Sequence, residues 1–392
     1  TGWDDYDSPT DLIFDEGSFV VVTSKGPDFD GSADSFYVTK VDEEGTKEWG
    51  TSLMNQARSP KAMRKTDAGY LLTSQGINYN DAVLLELNES GQLVWKETIA
   101  SKTGTLDDAE TYTREIIYDA VEVATDEYVL LNMRYNFLKA GGYVADPTNQ
   151  IVYLDRSGDT VVKTEHEFLQ PNSGEYKSIN DLLLTDDFLY AVGSYKASST
   201  PSDASDDDYV PAQGASGAVL FEIGKTDGSI NEEKTRTAGG LSDRYSGDAV
   251  ESSEGDIYVS YDKYNSAAAS IFHSTAQSTD YVTAYAMEYP RLAAGSDNNV
   301  YMAGSAISDY SSSILVRFNN GEEQLRLSLS KYSRYLTIKS ITYDKKYGVI
   351  VLATDKGNFV GGDSNDPYTV VFNVSDSMQY LAPSKLVTDY GL

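Results

Sequence analysis

The chain has 392 residues and carries 61 acidic side chains against 31 Lys and Arg, a formal net charge of −30. That field repels nucleic-acid phosphates and anionic membrane surfaces, so both are set aside as partners. With 40% hydrophobic residues and no Cys, the composition is globular, and disulfides, zinc thiolates, iron–sulfur clusters and Cys nucleophiles are excluded.

In chain order, the first ten residues, TGWDDYDSPT, are acidic and lack the basic and apolar regions of a signal peptide. They are expected to be an acidic tail or an extra edge strand, and the start is expected to be processed or trimmed. From residue 11 a phrase begins to recur. A short aromatic–apolar run such as SFVVVTS (from Ser18) or GYLLTSQ (from Gly69) follows a turn signal. It leads to a second run that hinges at a turn and is followed by a third, as in YVTKVDEEGTKEW and LLELNESGQLVW. The hinge glycines are Gly45, Gly91, Gly158, Gly228 and Gly321; the last interval is about twice the shortest, and residues 270–287 fill it without a Gly. Residues 370–381 supply a seventh unit, again without Gly.

Runs of four to eight residues rich in Val, Tyr, Phe and Ile, bounded by Gly, Asp, Asn and Ser, read as strands. With a further short run before each turn signal (DLIF at Asp11, SITY at Ser340), each unit holds four strands. Seven such units predict an all-β fold, a seven-bladed β-propeller of four-stranded antiparallel blades. The propeller is expected over 11–386, with blades near 11–60, 61–113, 114–176, 177–243, 244–290, 291–336 and 337–386, and a tail at 387–392. A tandem pair of β-sandwiches is the structural alternative, but it does not explain the return of one four-run phrase.

The stretch TDAGYLLTSQGINYNDAVLLELNESGQLVW resembles the blades of secreted and surface-lipoprotein β-propellers of Bacteroidota-type bacteria. Asp34, Phe36, Lys40, Asp42, Gly45 and Trp49 carry the resemblance in the first blade, and Gly69, Tyr70, Asp81, Leu87, Gly91 and Trp95 in the second. It weakens beyond residue 113. It implies an exported protein, secreted or on the outer-membrane surface with the periplasm as alternative. Membrane attachment is implied only through a lipidated Cys upstream of residue 1.

Catalytic signatures are absent: no nucleophile elbow, no Walker A loop and no HExxH. The two His, His166 and His273, stand in no metal-ligand spacing and read as structural; alternation puts Glu165 and Glu167 on one strand face and His166 on the other. Trp49 and Trp95 occupy matching positions and read as blade-packing residues. Calcium is the one cofactor the loops suggest, with Asp28, Asp30 and Asp34 as its best ligands; Asp203, Asp206–Asp208, Asp363 and Asp366 lie in similar loops. No loop has the EF-hand register.

The loops between second and third strands vary most and repeatedly present a Tyr beside polar groups: Tyr79, Tyr135 next to Arg134, Tyr209, Tyr264 and Tyr310. Tyr offers contact area and a polar tip, which suits sugars, planar ligands or partner proteins. Packing of loop against loop is the competing role. The leading functional reading is an extracellular or cell-surface, non-enzymatic binding protein for a glycan, a small ligand or an outer-membrane protein partner. The alternatives are an extracellular glycoside hydrolase or lyase using paired carboxylates, and a structural subunit of a surface transport or secretion assembly.

Overall fold

A computed structural model describes residues 7–25, 35–106, 109–139, 143–156, 161–168, 174–197, 216–239, 246–263, 266–273, 279–284, 287–305, 313–329, 336–355, 368–378 and 380–384. Seven successive antiparallel sheets make up the expected all-β fold, a seven-bladed β-propeller. Blade 1 is β1 (Asp7–Asp15), β2 (Ser18–Lys25), β3 (Ser35–Val41) and β4 (Lys47–Ser52). Blade 2 is β5 (Arg58–Lys65), β6 (Gly69–Gln75), β7 (Ala82–Asn88) and β8 (Leu93–Ile99). Blade 3 holds five strands: β9 (Thr103–Leu106) pairs beside β10 (Ala109–Ala124), followed by β11 (Glu127–Leu138), β12 (Tyr143–Asp155) and β13 (Val162–Glu167). Blade 4 is β14 (Gly174–Leu184), β15 (Leu189–Ala197), β16 (Ser216–Ile223) and β17 (Ile230–Gly239). Blade 5 is β18 (Ser246–Glu251), β19 (Ile257–Lys263), β20 (Ser266–Phe272) and β21 (Thr279–Ala284). Blade 6 is β22 (Glu288–Ala294), β23 (Asn299–Ser305), β24 (Ser313–Asn319) and β25 (Glu322–Ser328), and blade 7 is β26 (Leu336–Asp344), β27 (Gly348–Asp355), β28 (Tyr368–Val374) and β29 (Tyr380–Ser384).

Burial grades across each sheet and explains the repeated phrase. The second strands β6 and β27 are buried at every residue, whereas the fourth strands β4, β13 and β25 are largely exposed. A strand covered on both faces reads as a continuous apolar run, which is what the aromatic–apolar runs are. The hinge is the turn from third to fourth strand. Gly45, Gly91, Gly228 and Gly321 all have positive φ, as the turn requires; Gly158 lies outside the described residues. Gly91 has a second constraint, because a Cβ there would overlap the Trp49 ring of blade 1. The hinge is therefore a turn and a blade contact at once.

The chain divides into two compact units, Thr1–Phe168 with Ile223–Ile230, and Leu169–Glu222 with Asn231–Leu392. In the first, Val20, Val38, Tyr70 and Leu85 pack blades 1 and 2 together, and Leu84, Ile117, Tyr128 and Leu130 pack blades 2 and 3. The two Trp serve these seams. Trp49 tilts against Tyr70 at 5.8 Å, and Trp95 stacks on Tyr128 at 5.4 Å with Arg156 4.7 Å above it. In the second, Phe272 belongs to the blade 4–5 core, Phe318 to the blade 5–6 core and Phe372 to the blade 6–7 core.

One feature of the first strands was invisible in the sequence. Each of β1, β5, β10, β14, β18, β22 and β26 breaks register with its second strand. Such bulges bend a strand and leave a residue unpaired. An Asp in or just after the bulge bonds to the next blade in three of these strands. Met63 N–H donates to Asp11 at 2.9 Å in the first unit. Ala249 N–H donates to Asp181 at 2.8 Å and Leu292 N–H to Asp248 at 3.0 Å in the second. Asp119 instead accepts from Arg64 Nε of blade 2 at 3.1 Å.

Candidate functional site

The varied loop of blade 2, residues 76–81, is a closed hydrogen-bonded turn. Gly76 N–H donates to Asp81 O at 2.7 Å and Tyr79 N–H to Gly76 O at 3.0 Å. The Asn78 carboxamide oxygen accepts from Asn80 N–H at 3.1 Å and Asp81 N–H at 3.0 Å, an Asx arrangement. The Gln75 amide reaches Tyr79 O at 2.6 Å. These bonds hold Tyr79 at φ 64°, a conformation uncommon for an aromatic residue. The loop displays Ile77 and Tyr79, both over 40% exposed. The Arg58 guanidinium lies 4.2 Å from the Tyr79 ring centre, a cation–π distance.

The loop is anchored to blade 3, where Glu115 N–H donates to Asn80 O at 2.7 Å. Glu115 is fully buried and starts a polar row across that sheet. It accepts from Asn132 at 2.7 Å and from Arg134 Nε at 2.9 Å. Arg134 continues to Glu165 at 3.0 Å, and Lys102 meets the same carboxylate at 3.2 Å. Gln150 donates to Glu167 at 2.9 Å. Burial opposes ionisation of Glu165, but hydrogen bonds from Arg134 and Lys102 prevail and hold its carboxyl below the usual range.

The expected site residues therefore divide. Tyr79 is exposed on a rigid loop. Arg134 is largely buried and committed to carboxylates on β10 and β13. Tyr135 is half-buried, 6.3 Å from Phe137, which in turn stacks on Tyr112 at 5.2 Å. Tyr135 lies directly across β10–β11 from Arg114, so the two side chains share a sheet face. Tyr209, Tyr264, Tyr310, Asp28, Asp30 and Asp34 lie outside the described residues. Among the described residues no group of three or more His, Cys, Asp and Glu is placed to hold a metal ion. Both His are tied down, His166 Nε2 to Asp227 O at 3.0 Å and His273 Nδ1 to Asp256 at 3.0 Å.

Arg58, Lys61 and Arg114 were not singled out in the sequence. Arg58 and Lys61 flank Ser59 and Pro60 at the β5 bulge, and Arg114 stands on β10, the strand that Arg64 and Asp119 tie to β5. Lys61 is exposed as a whole residue, yet protein crowding its ammonium lowers its pKa, and the Arg114 charge lowers it further. The signal available in the sequence was the cationic stretch RSPKAMRK in a strongly acidic chain.

No family model matches the chain, and no curated protein matches it. A puromycin-hydrolysing peptidase of Mycobacterium tuberculosis superposes with a TM-score of 0.56 at 12% identity, over 98% of this chain and 54% of that one. The chain thus spans about half the length of that peptidase. An ulvan lyase solved with its saccharide superposes with a TM-score of 0.47 at 9% identity, over 95% of both chains. A protein of unknown function from Dyadobacter fermentans superposes with a TM-score of 0.44 at 15% identity, over 70% of this chain and 83% of that one. The likeness to the peptidase is one of fold.

Proposed function

We propose that this β-propeller is a non-enzymatic binding protein, exported to the cell surface or beyond, that recognises a glycan through the Tyr79 loop of blade 2. The observation that carries the reading is the preorganised exposure of Tyr79: an aromatic ring on a closed loop, held at positive φ and backed by Arg58. A ring fixed before the ligand arrives loses little conformational entropy on binding. Its free surface suits the apolar face of a sugar, and its hydroxyl suits sugar hydroxyls. The neighbouring carboxylates support binding over acid–base chemistry. Glu115 and Glu165 are engaged by Arg134, Asn132 and Lys102. A general acid at neutral pH needs a raised pKa, and Glu165 is shifted the other way.

The test is affinity electrophoresis through gels containing neutral and acidic polysaccharides, comparing the wild type with Tyr79→Ala. Retardation by at least one polysaccharide, lost in the variant with an unchanged melting temperature, is expected. Equal retardation of both proteins would remove Tyr79 from the site, and no retardation in any gel would count against glycan recognition.

A further inference from the structure

We infer that Arg58, Lys61 and Arg114 form a subsite for the acidic group of an anionic glycan, beside Tyr79; the inference rests on the glycan-binding reading above. With 61 acids for 31 Lys and Arg, a cation in this chain has carboxylates in excess. Its neighbours use them: Arg64 pairs with Asp119, Lys65 with Glu89, Lys102 with Glu165, and Arg134 with Glu115. Arg58, Lys61 and Arg114 pair with no carboxylate among the described residues. The Nε atoms of Arg58 and Arg114 are buried without an acceptor. A buried donor without an acceptor is costly, so each such case calls for an explanation.

The backbone points the same way. Ser59 has φ 46° although it precedes Pro60, a position where helical conformations are already disfavoured. Strain of this kind persists only where the surroundings enforce it, and it clusters at ligand clamps. Blade 6 repeats the device within the second unit. Tyr289 has φ 51°, precedes Pro290 at the β22 bulge and is followed by Arg291, whose Nε is also buried without an acceptor. A strained residue, a Pro and a cation thus recur at the equivalent bulge. In the free protein burial of the Lys61 ammonium lowers its pKa, and the Arg114 charge lowers it further. A bound carboxylate or sulfate would supply the counter-charge that the described carboxylates do not give these cations. Tyr79, on the Arg58 guanidinium, places an aromatic surface where the ring bearing the acid would lie.

Calorimetric titration with hexasaccharides tests this. The acidic set is oligogalacturonate, oligomannuronate and a κ-carrageenan hexamer, which carries sulfate and no carboxylate; the neutral set is fully methyl-esterified oligogalacturonate and maltohexaose. Wild-type protein is expected to bind a member of the acidic set. Lys61→Gln and Arg114→Gln should each weaken that binding by about tenfold, the scale of one charge-assisted hydrogen bond. Lys61→Arg should retain most of it, and melting temperatures no lower than wild type show that the variants fold. Sulfated and carboxylated hexamers distinguish the two sources of the anion. Binding to the neutral set alone, or acidic binding indifferent to Lys61 and Arg114, would overturn the subsite and leave the glycan-binding reading standing. Binding of neither set by the wild type would overturn both.

Discussion

Lys61 is the cation of the proposed subsite whose protonation is linked to folding. Its folded pKa lies below the ordinary 10.5, so the unfolded chain holds this proton more tightly. The resulting cost is fully present below the folded pKa and disappears as pH rises through the window up to 10.5. Lys61→Met should therefore melt at a higher temperature than wild type at pH 7, with the difference shrinking by pH 10 in parallel melting curves. A lower melting temperature at pH 7 would show that Lys61 supports the fold. Of the residues at this site, Tyr79 was legible because its loop departs from the repeated phrase. Arg134 was legible only as a polar neighbour of Tyr135, since its partners Glu115 and Glu165 stand on other strands. Arg58 and Lys61 were hidden because SP between them reads as punctuation, whereas the structure makes it a bulge inside β5.

At the scale of elements, the repeat is maintained by turns and latches that touch the neighbouring blade. The second-to-fourth strands were readable because burial on both faces, a hinge at positive φ and an exposed edge each leave a compositional mark. First strands are less legible, because a bulge interrupts period-two alternation in every one of them. The same effect hid a difference between blades. Tyr70 and Tyr301 look equivalent in GYLLTSQ and NVYMAGS. Yet Gly69 and Asn299 each open the ladder with the third strand, so Tyr70 is the second residue of its strand and Tyr301 the third. That offset turns Tyr70 toward blade 1 and Tyr301 toward blade 7. The latch carries its own prediction. Asp248→Ala strips the partner from Leu292 N–H and should cost about 1.5–3 kcal/mol, the range for a hydrogen bond to a charged group. Urea denaturation measures it, and a change below about 0.5 kcal/mol, the range of ordinary surface substitutions, would show that Leu292 N–H has another partner.

Across the whole molecule, charge dominates the response to pH. Burial raises the Asp15 pKa, but Tyr70 and Lys40 outweigh it and hold the carboxyl below its ordinary 3.8; Glu165 is likewise held below 4.5. Their stabilisation is complete above those ordinary values and is lost as pH falls through the lower folded values. Glu122 and Glu251 behave oppositely: burial first, then neighbouring carboxylates, raise their pKa, so they cost stability at neutral pH and are relieved on mild acidification. Partial neutralisation of the −30 charge also eases self-repulsion. The melting temperature should therefore rise from pH 7 to about 5 and fall steeply below about 4, near the ordinary carboxylate values. A melting temperature that declines steadily from pH 7 would contradict this balance.

The most direct test of binding without turnover pairs calorimetry with mass spectrometry on one acidic hexasaccharide. The wild type should give a saturable isotherm that Tyr79→Ala abolishes, and the hexasaccharide should be recovered intact after prolonged incubation with excess protein. Shortened or unsaturated oligosaccharides in that incubation would contradict a binding role and make the propeller an enzyme.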